Sequence, residues 1–133
     1  MVRPADSNPT ALELEILKVL WKQAPRHVGE IRDALAKAGR DNAHTSVITI
    51  LNIMVGKSYL DKRKEGRGFE YWPIVSQKDV SQNMLNDLVD RAFSGSSGRL
   101  MLRLLEEEDI DENELIELRK LINKRVREQR GGK

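Results

Sequence analysis

Cysteine is absent from the 133 residues of this sequence. Its absence excludes disulfides, thiol catalysis and metal sites built from thiolates, and it suits a cytoplasmic protein. Long apolar runs are missing too, because neither the first ten residues nor any later stretch approaches the roughly 18 apolar residues of a membrane-spanning helix. We therefore expect a soluble, cytoplasmic protein with no export signal and no membrane contact.

Side chains that could carry catalysis or bind a metal are equally scarce. His27 and His44 are the only histidines, and they do not stand at a metal-ligand spacing. The serines of residues 94–98 lack the context of a catalytic nucleophile, and Gly66–Gly68 falls in a predicted hairpin turn that opens no helix and forms no phosphate loop. We predict no enzyme activity, no cofactor and no metal.

Aromatic residues make up only 5% of the chain, whereas hydrophobic residues make up 39%. This composition, with apolar residues recurring at helical spacing, predicts a mainly α protein with aliphatic cores. Thr10 and Glu13 form a capping box at the start of a first helix over residues 11–22. A connector of residues 26–28 leads into a second helix, and Gly39 follows the end of that helix.

Charge is missing from residues 42–56, although 33% of the whole sequence is charged. Apolar side chains recur there at helical spacing, which predicts a third helix with a buried stripe of Val47, Ile50, Leu51 and Met54. The opposite face carries Thr45, Thr49, Asn52 and Gly56. Small side chains that form hydrogen bonds would allow this face to enter a DNA major groove and meet base edges. A buried helix with no binding role is the alternative.

A basic hairpin is predicted directly after this helix. Residues 57–73 read as two short strands around a turn, and the basic residues toward its tip are Lys62, Arg63, Lys64 and Arg67. Gly66 and Gly68 flank Arg67 and would let the backbone turn sharply, so that the guanidinium reaches a phosphate or a narrow minor groove. Alternatively, these cations only protect an exposed edge strand. Tyr71 and Trp72 are expected to pack against the third helix.

The second half of the chain is predicted to be helical. Ser76 caps a fourth helix, and residues 94–98 are too rich in glycine and serine to be helical. A short helix over residues 99–107 is followed by a last helix that starts near residue 111 and ends near residue 127. The tail over residues 129–133 is expected to fray.

These last helices have wide apolar stripes but no sheet or further layer to cover them. Isolated, they would bury too little surface to fold, so we predict a two-fold dimer in which they pack against their copies. The candidate dimerisation residues are Leu88, Leu102, Leu105, Leu115, Leu118 and Ile122. The alternative is that the helices fold back on the first half as one larger core.

Five segments stand in a characteristic order and spacing: Glu13–Trp21, Val28–Ile31, His44–Leu51, Lys64–Arg67 with Tyr71–Pro73, and Leu104–Ile110. Together they resemble the penicillinase repressor family, the BlaI/MecI type of bacterial transcriptional repressor. The resemblance covers nearly the whole chain. It implies a cytoplasmic homodimer that covers operator dyads, with a winged helix-turn-helix domain in residues 1–75, a helical dimerisation region in residues 76–133 and a hinge at residues 94–98.

The sequence also departs from the family pattern. Ile53 stands where members usually carry a basic residue, and Ser58 stands where a glycine is usual before the first strand of the wing. In antibiotic-sensing members a regulatory protease cuts near the position of Arg103 and Leu104, but the Asn-Phe pair of that cut site is absent here. The copper-responsive branch carries cysteine pairs, which this chain lacks. The sequence therefore specifies no inducing signal.

These observations favour a dimeric repressor that binds a palindromic operator in double-stranded DNA and is released by a signal such as proteolysis. The candidate DNA-binding residues are His44, Thr45, Ser46, Thr49, Asn52, Lys62, Arg63, Lys64 and Arg67. The alternative is a winged-helix module that binds only protein. In that case the slim face of the third helix would dock a partner helix instead of bases.

Overall fold

The computed structural model describes residues 8–131, which contain six helices and three strands. The first helix, α1 (Ala11–Lys22), has the predicted bounds and the predicted capping box. The Thr10 amide donates to Glu13 Oε1 at 2.9 Å, and the Glu13 amide donates to Thr10 Oγ1 at 3.2 Å. Two backbone donors that a helix start leaves unpaired are thus satisfied by side chains.

A helix-turn-helix follows, formed by α2 (Val28–Lys37) and α3 (His44–Gly56). Gly39 ends α2 with a φ of +92°, a left-handed conformation that favours glycine. The turn is fastened to α2 because Arg32 Nε donates to the Asn42 carbonyl at 2.9 Å. The predicted third helix is confirmed: it ends at Gly56, where the uncharged stretch ends, and begins at His44, two residues after that stretch begins.

The wing is a three-stranded antiparallel sheet in the order β1-β3-β2, where β1 is Arg26–His27, β2 is Leu60–Glu65 and β3 is Gly68–Pro73. The predicted hairpin is confirmed, but the prediction of residues 26–28 as a plain connector is wrong. Arg26 pairs with Tyr71 and His27 with Glu70 along the outer edge of β3. A strand of two residues has no alternation to detect, and only the neighbouring β3 edge makes it a strand.

One core joins the three helices and the sheet. Its buried members are Ile16, Leu17, Leu20, Ile31, Leu35, Val47, Leu51, Met54, Tyr59, Leu60 and Tyr71. Ile50, predicted for the buried stripe of α3, is only partly buried at the margin of this core. Trp21 is partly buried at another edge of the core, and its Nε1 donates to the Val75 carbonyl at 2.9 Å. Tyr71 packs as predicted, whereas Trp72 is only half-buried.

The chain divides into two compact units, Met1–Leu88 and Val89–Lys133, and the division falls within the fourth helix, α4 (Gln77–Ala92). Ser76 caps α4 as predicted, since its Oγ accepts from the Asp79 amide at 3.0 Å. The boundary that we predicted after residue 75 stays a prediction about the folding and binding roles of the two halves.

The second unit continues with α5 (Ser97–Glu107) and α6 (Glu112–Gly131). The turn before α5 is shorter than predicted, because Ser96 caps the helix by accepting from the Arg99 amide at 3.1 Å. Ser97 and Gly98 are therefore helical. Ser94 and Gly95 have positive φ values of 50° and 81° and interrupt the helix as expected.

The last helix is longer than predicted. It passes residue 127 and includes residues 129–131, so the expected fraying is wrong for these three residues, while residues 132 and 133 lie outside the described part of the chain. Most residues from Lys124 to Arg130 are good helix formers. These residues include no glycine or proline that would end the helix before the final glycines. The prediction gave too little weight to their helix propensity.

Candidate nucleic-acid interface

The exposed face of α3 is the centre of the candidate interface. Thr45, Thr49, Asn52 and Gly56 are all exposed, whereas Val47, Leu51 and Met54 on the other side are fully buried. The helix therefore turns its uncharged polar side outward, as its sequence predicts. We call the surface formed by Thr45, Thr49, Asn52 and Gly56 the reading face. Ile53 next to it is also exposed, which adds an apolar edge.

Thr49 contributes a defined hydrogen-bonding capacity to the reading face. Its hydroxyl donates to the Thr45 carbonyl one turn earlier at 3.0 Å. A hydroxyl carries a single hydrogen and two lone pairs, so this bond uses its donor and leaves its oxygen as an acceptor. The remaining chemistry of Thr49 is that acceptor and a methyl group. Both are groups that can meet base edges in a major groove.

Asn52 connects the reading face to the wing. The Lys62 ammonium in β2 donates to Asn52 Oδ1 at 3.1 Å, and the same ammonium lies 4.4 Å from the centroid of the Phe69 ring in β3. Phe69 and Lys62 share one face of the hairpin, because Lys62 pairs with Tyr71 and Lys64 pairs with Phe69 in the antiparallel register. Helix and wing are thus joined at the proposed contact surface itself.

The wing tip is a two-residue turn. Glu65 pairs with Gly68, which leaves Gly66 and Arg67 as the loop, and Gly66 has a φ of +60°. Positive φ at the first loop residue is the requirement of a type II′ hairpin turn. The turn therefore needs Gly66, whereas Gly68 starts a strand without positive φ, so its expected role in the turn is wrong.

The four cations of the wing fall into two groups. Arg63 forms an ion pair with Glu70, in which its Nε and Nη2 donate to Glu70 Oε1 at 2.7 Å and 2.6 Å. Its guanidinium also lies 6.0 Å from the Trp72 ring centroid. Lys62 is committed to Asn52 and Phe69. Lys64 and Arg67 are exposed and have no hydrogen bond or ion pair with any residue that the structure describes.

The start of α3 holds the remaining candidates. His44 and Ser46 are exposed in its first turn, and Ala43 at the cap position supplies no side-chain hydrogen bond. The first amides of α3 are therefore not satisfied by a capping side chain. Amides at a helix start, together with the helix dipole, favour an anion such as a phosphate.

One ion pair joins two segments that are distant in the sequence, and the sequence did not predict it. Lys57 Nζ at the end of α3 lies 2.9 Å from Glu13 Oε2 in the first turn of α1, a separation of 44 residues along the chain. The sequence explains Glu13 fully as a capping residue, and nothing in it indicates a second partner. Burial, and to a lesser degree the Glu13 carboxylate, raise the pKa of the nearby Tyr59.

The second unit exposes an apolar surface. Five of the six candidate dimerisation residues belong to this unit and are exposed, with Leu102 the most exposed at 61%; the sixth, Leu88, is exposed in the first unit. An open groove of about 830 Å³ lies between α5 and α6, where Leu104, Ile110, Leu118 and Leu121 form an apolar floor and Glu108, Glu114 and Glu117 are acidic. Arg103 and Leu104, the candidate proteolytic segment, lie within α5, and Arg103 Nε is 3.7 Å from Glu107 Oε2.

Between residues 8 and 131, no three histidine, aspartate or glutamate side chains are placed to hold a metal ion together. None of the helices described is long and apolar enough to cross a membrane.

Three helices followed by a two-stranded wing, with a minimal third strand, define a winged helix-turn-helix protein. The family model of the penicillinase repressor matches residues 9–124 of the chain. The chain therefore belongs to the penicillinase repressor family, and the resemblance inferred from the sequence segments is confirmed.

Individual relatives agree with this assignment. The methicillin resistance regulatory protein MecI of Mammaliicoccus sciuri is 22% identical over 116 residues, which cover 87% of this chain and 94% of that protein. The penicillinase repressor of Bacillus licheniformis is 28% identical over 110 residues, which cover 83% of this chain and 85% of that protein. A solution structure of the DNA-binding domain of the repressor BlaI matches with a TM-score of 0.50 and 29% identity, covering 59% of this chain and 93% of that one. The winged-helix fold is thereby confirmed.

Proposed function

We propose that this protein is a dimeric transcriptional repressor that covers a palindromic operator. The observation that carries the proposal is the uncharged reading face of α3, exposed beside a wing whose Lys64 and Arg67 have no partner among the described residues. A slim polar helix face suits base edges in the major groove, and free cations on an adjacent hairpin suit the flanking phosphates. Family membership supports the same function.

Within this interface the residues divide by role. Lys64 and Arg67 on the wing, with His44 and Ser46 at the start of α3, contact phosphates and fix the position of the protein on the duplex. Thr49 and Asn52, in the middle of the reading face, choose the sequence. Thr45 lies between the two groups and contacts the backbone or the first base. Arg63 contributes indirectly, because its charge is balanced by Glu70.

Dimerisation supplies the second half-site. The exposed leucines of α5 and α6, together with Ile122, form an apolar surface that a second copy would bury, and Leu88, exposed on α4 in the first unit, is a further candidate. Two reading heads on one face of the duplex require half-sites about one helical turn apart, roughly 10 base pairs or a multiple. Because joined heads meet the second half-site at a high effective concentration, the dimer binds about 10²–10⁴ times more tightly than one head.

Release by proteolysis is part of the proposal. Arg103 and Leu104 are exposed but helical, so a regulatory protease must bind a locally opened α5. Cutting there removes α6 from the chain and with it the avidity of the dimer. Operator DNA in bacteria lies in the cytoplasm, and we assign the protein to that compartment, as a regulator without enzymatic activity or cofactor.

Binding of the full chain to duplexes from the region around its own gene tests the proposal. Affinity should fall steeply with salt, because each phosphate contact releases counterions with a log-log slope of roughly 0.9. Arg67→Ala should weaken binding to all sequences about equally, whereas Thr49→Ala should cost on the order of 1–3 kcal/mol on the preferred site and little on random DNA. A flat salt response would instead favour the module that binds only protein.

Dimerisation is tested in the same assay. Leu118→Glu places a charge in the proposed dimer surface, and Arg119→Glu on the exposed neighbouring position is the matched control. We expect the first variant to sediment as a monomer at micromolar concentration, to bind a single half-site normally and to lose the palindrome. A monomeric unmodified protein, or a Leu118→Glu variant that binds the palindrome as tightly as the unmodified chain, would contradict the dimer.

A further inference from the structure

We infer that Lys62 fixes the orientation of the Asn52 amide, and that the two side chains together read guanine and reject adenine at one position of each half-site. This inference rests on the proposed function, since it assigns the base that the reading face recognises. It turns on one contact, the 3.1 Å hydrogen bond from Lys62 Nζ to Asn52 Oδ1.

Chemistry fixes the orientation of the amide. A lysine ammonium has three donors and no acceptor, so the Asn52 atom that it meets must be the carboxamide oxygen. The Asn52 Nδ2 group, with its two hydrogens, then remains for another partner. Asparagine usually reads adenine with both of its ends, because the oxygen accepts from N6 and the nitrogen donates to N7. Here one lone pair of that oxygen already accepts from the Lys62 ammonium, whose positive charge disfavours a second donor such as the adenine N6 amino group.

A second contact, with the Phe69 ring, holds the Lys62 ammonium next to Asn52. Its ammonium lies 4.4 Å from the centroid of the Phe69 ring, within the range of a cation–π contact. The side chain is half-buried between the end of α3 and the hairpin. Lys64, two residues later on the same face of β2, is exposed and has no partner in the described chain. Lys62 and Lys64 thus carry the same charge on the same face of the same strand, but only Lys62 contacts other side chains of the described chain.

The pair presents an excess of donors, because the ammonium occupies one of the two lone pairs of Asn52 Oδ1 and its positive charge lies beside the other. Asn52 offers Nδ2, and the ammonium retains hydrogens that neither Asn52 nor Phe69 uses. Guanine presents two neighbouring acceptors, O6 and N7, in the major groove, and it therefore complements two donors. Adenine presents N7 beside the N6 amino group, and that amino group would face a cation and a second donor. Rejection by an unfavourable contact is a general source of specificity.

The experiment selects bound sequences from a pool of short randomised duplexes with the full chain and its variants. Asn52→Ala identifies the position, because it should lose base preference there and nowhere else. The unmodified protein should select guanine at that position over adenine by on the order of tenfold, the lower part of the range for a good bidentate contact. Lys62→Met keeps the apolar stem against Phe69 but removes the ammonium, so adenine should become acceptable.

Two further variants separate this role from a structural or purely electrostatic one. Lys62→Arg retains donors next to Asn52 and should retain the guanine preference. Lys64→Met removes the same charge from the same face of β2. It should weaken binding to all sequences about equally and leave the base preference unchanged. Replacing that guanine by 7-deazaguanine, which lacks the N7 acceptor, should weaken binding by the unmodified protein, because one of its two donors then has no partner on the base. Thermal melting verifies that each variant is folded.

The outcomes are distinct. If Lys62→Met changes affinity like Lys64→Met and leaves base preference intact, Lys62 contacts only phosphate and the inference is wrong. Selection of adenine by the unmodified protein at the Asn52 position overturns it as well. If the unmodified chain enriches no sequence at all, the proposed function fails together with the inference.

Discussion

The ion pair between Glu13 and Lys57 lends itself to a quantitative prediction, because it joins the first turn of α1 to the end of α3. The Glu13 side chain is only 5% exposed, and the Lys57 side chain is 35% exposed. Glu13 also accepts from the Thr10 amide with its other oxygen. Glu13→Gln keeps a cap acceptor in place but sets an amide against the ammonium, so it tests the ion pair apart from the helix cap.

The magnitude follows from the unequal burial of the two groups. Hydrogen bonds to charged groups contribute about 1.5–3 kcal/mol, and solvent around Lys57 brings the value toward the lower end, so Glu13→Gln should lower the free energy of unfolding by about 1.5 kcal/mol. Lys57→Met should cost about 2–3 kcal/mol, because it leaves a buried carboxylate without its cation. The double variant should cost no more than Lys57→Met alone, which gives a coupling energy of about 1.5 kcal/mol.

Urea unfolding followed by tryptophan fluorescence measures these energies in the right part of the chain. Both tryptophans, Trp21 and Trp72, belong to the first unit. The control cycle is the exposed pair of Glu15 and Lys18 on α1, 3.5 Å apart, for which we expect a coupling below about 0.5 kcal/mol. A coupling at the Glu13 pair as small as that of the control would refute the reasoning.

Three further predictions concern stability. Ser58 has a φ of 66°, a region that costs a residue other than glycine about 1–2 kcal/mol, so Ser58→Gly should raise the free energy of unfolding by about 0.5–1 kcal/mol in urea, and a loss would contradict this. Leu51→Ala should cost about 2–5 kcal/mol in thermal melting because Leu51 is fully buried, whereas Ile53→Ala, at an exposed position, should change stability by less than about 0.5 kcal/mol. Burial raises the pKa of Tyr71, so the folded state keeps a proton that the unfolded state releases above about pH 10, and stability should fall with rising pH in that window and fall less steeply in Tyr71→Phe.

Features encoded by neighbouring residues could be predicted from the sequence. The capping box of α1 and the presence of α3 within the uncharged stretch depend on residues within one or two helical turns, and both match the structure. The left-handed residue after α2 is another local feature. Periodicity alone does not fix which side of α1 is buried: Ile16 is a core residue, whereas Leu14 is only partly buried. Core packing against α2 and the sheet decides that rotation.

Contacts between distant segments could not be predicted from the sequence. The strand β1 exists because β3 has an edge to pair with, and Arg63 is neutralised because the hairpin register sets Glu70 opposite it. The hydrogen bond between Lys62 and Asn52 depends on how the hairpin packs against α3. Charge and position in the sequence make the basic residues of the wing look equivalent. Only the fold separates them into cations with internal partners and cations without.

That separation bears on how the proposed interface discriminates. The chain has a formal net charge of only +2, so a long-range field adds little affinity for random DNA. If Lys62 and Arg63 are engaged within the protein, each wing offers mainly Lys64 and Arg67 for phosphates, and binding that is independent of sequence stays weak. In the proposed dimer, the preference for an operator must then come from the reading face and from the pairing of two heads. A repressor built in this way loses its operator as soon as dimerisation is lost, with no change to the residues that contact DNA.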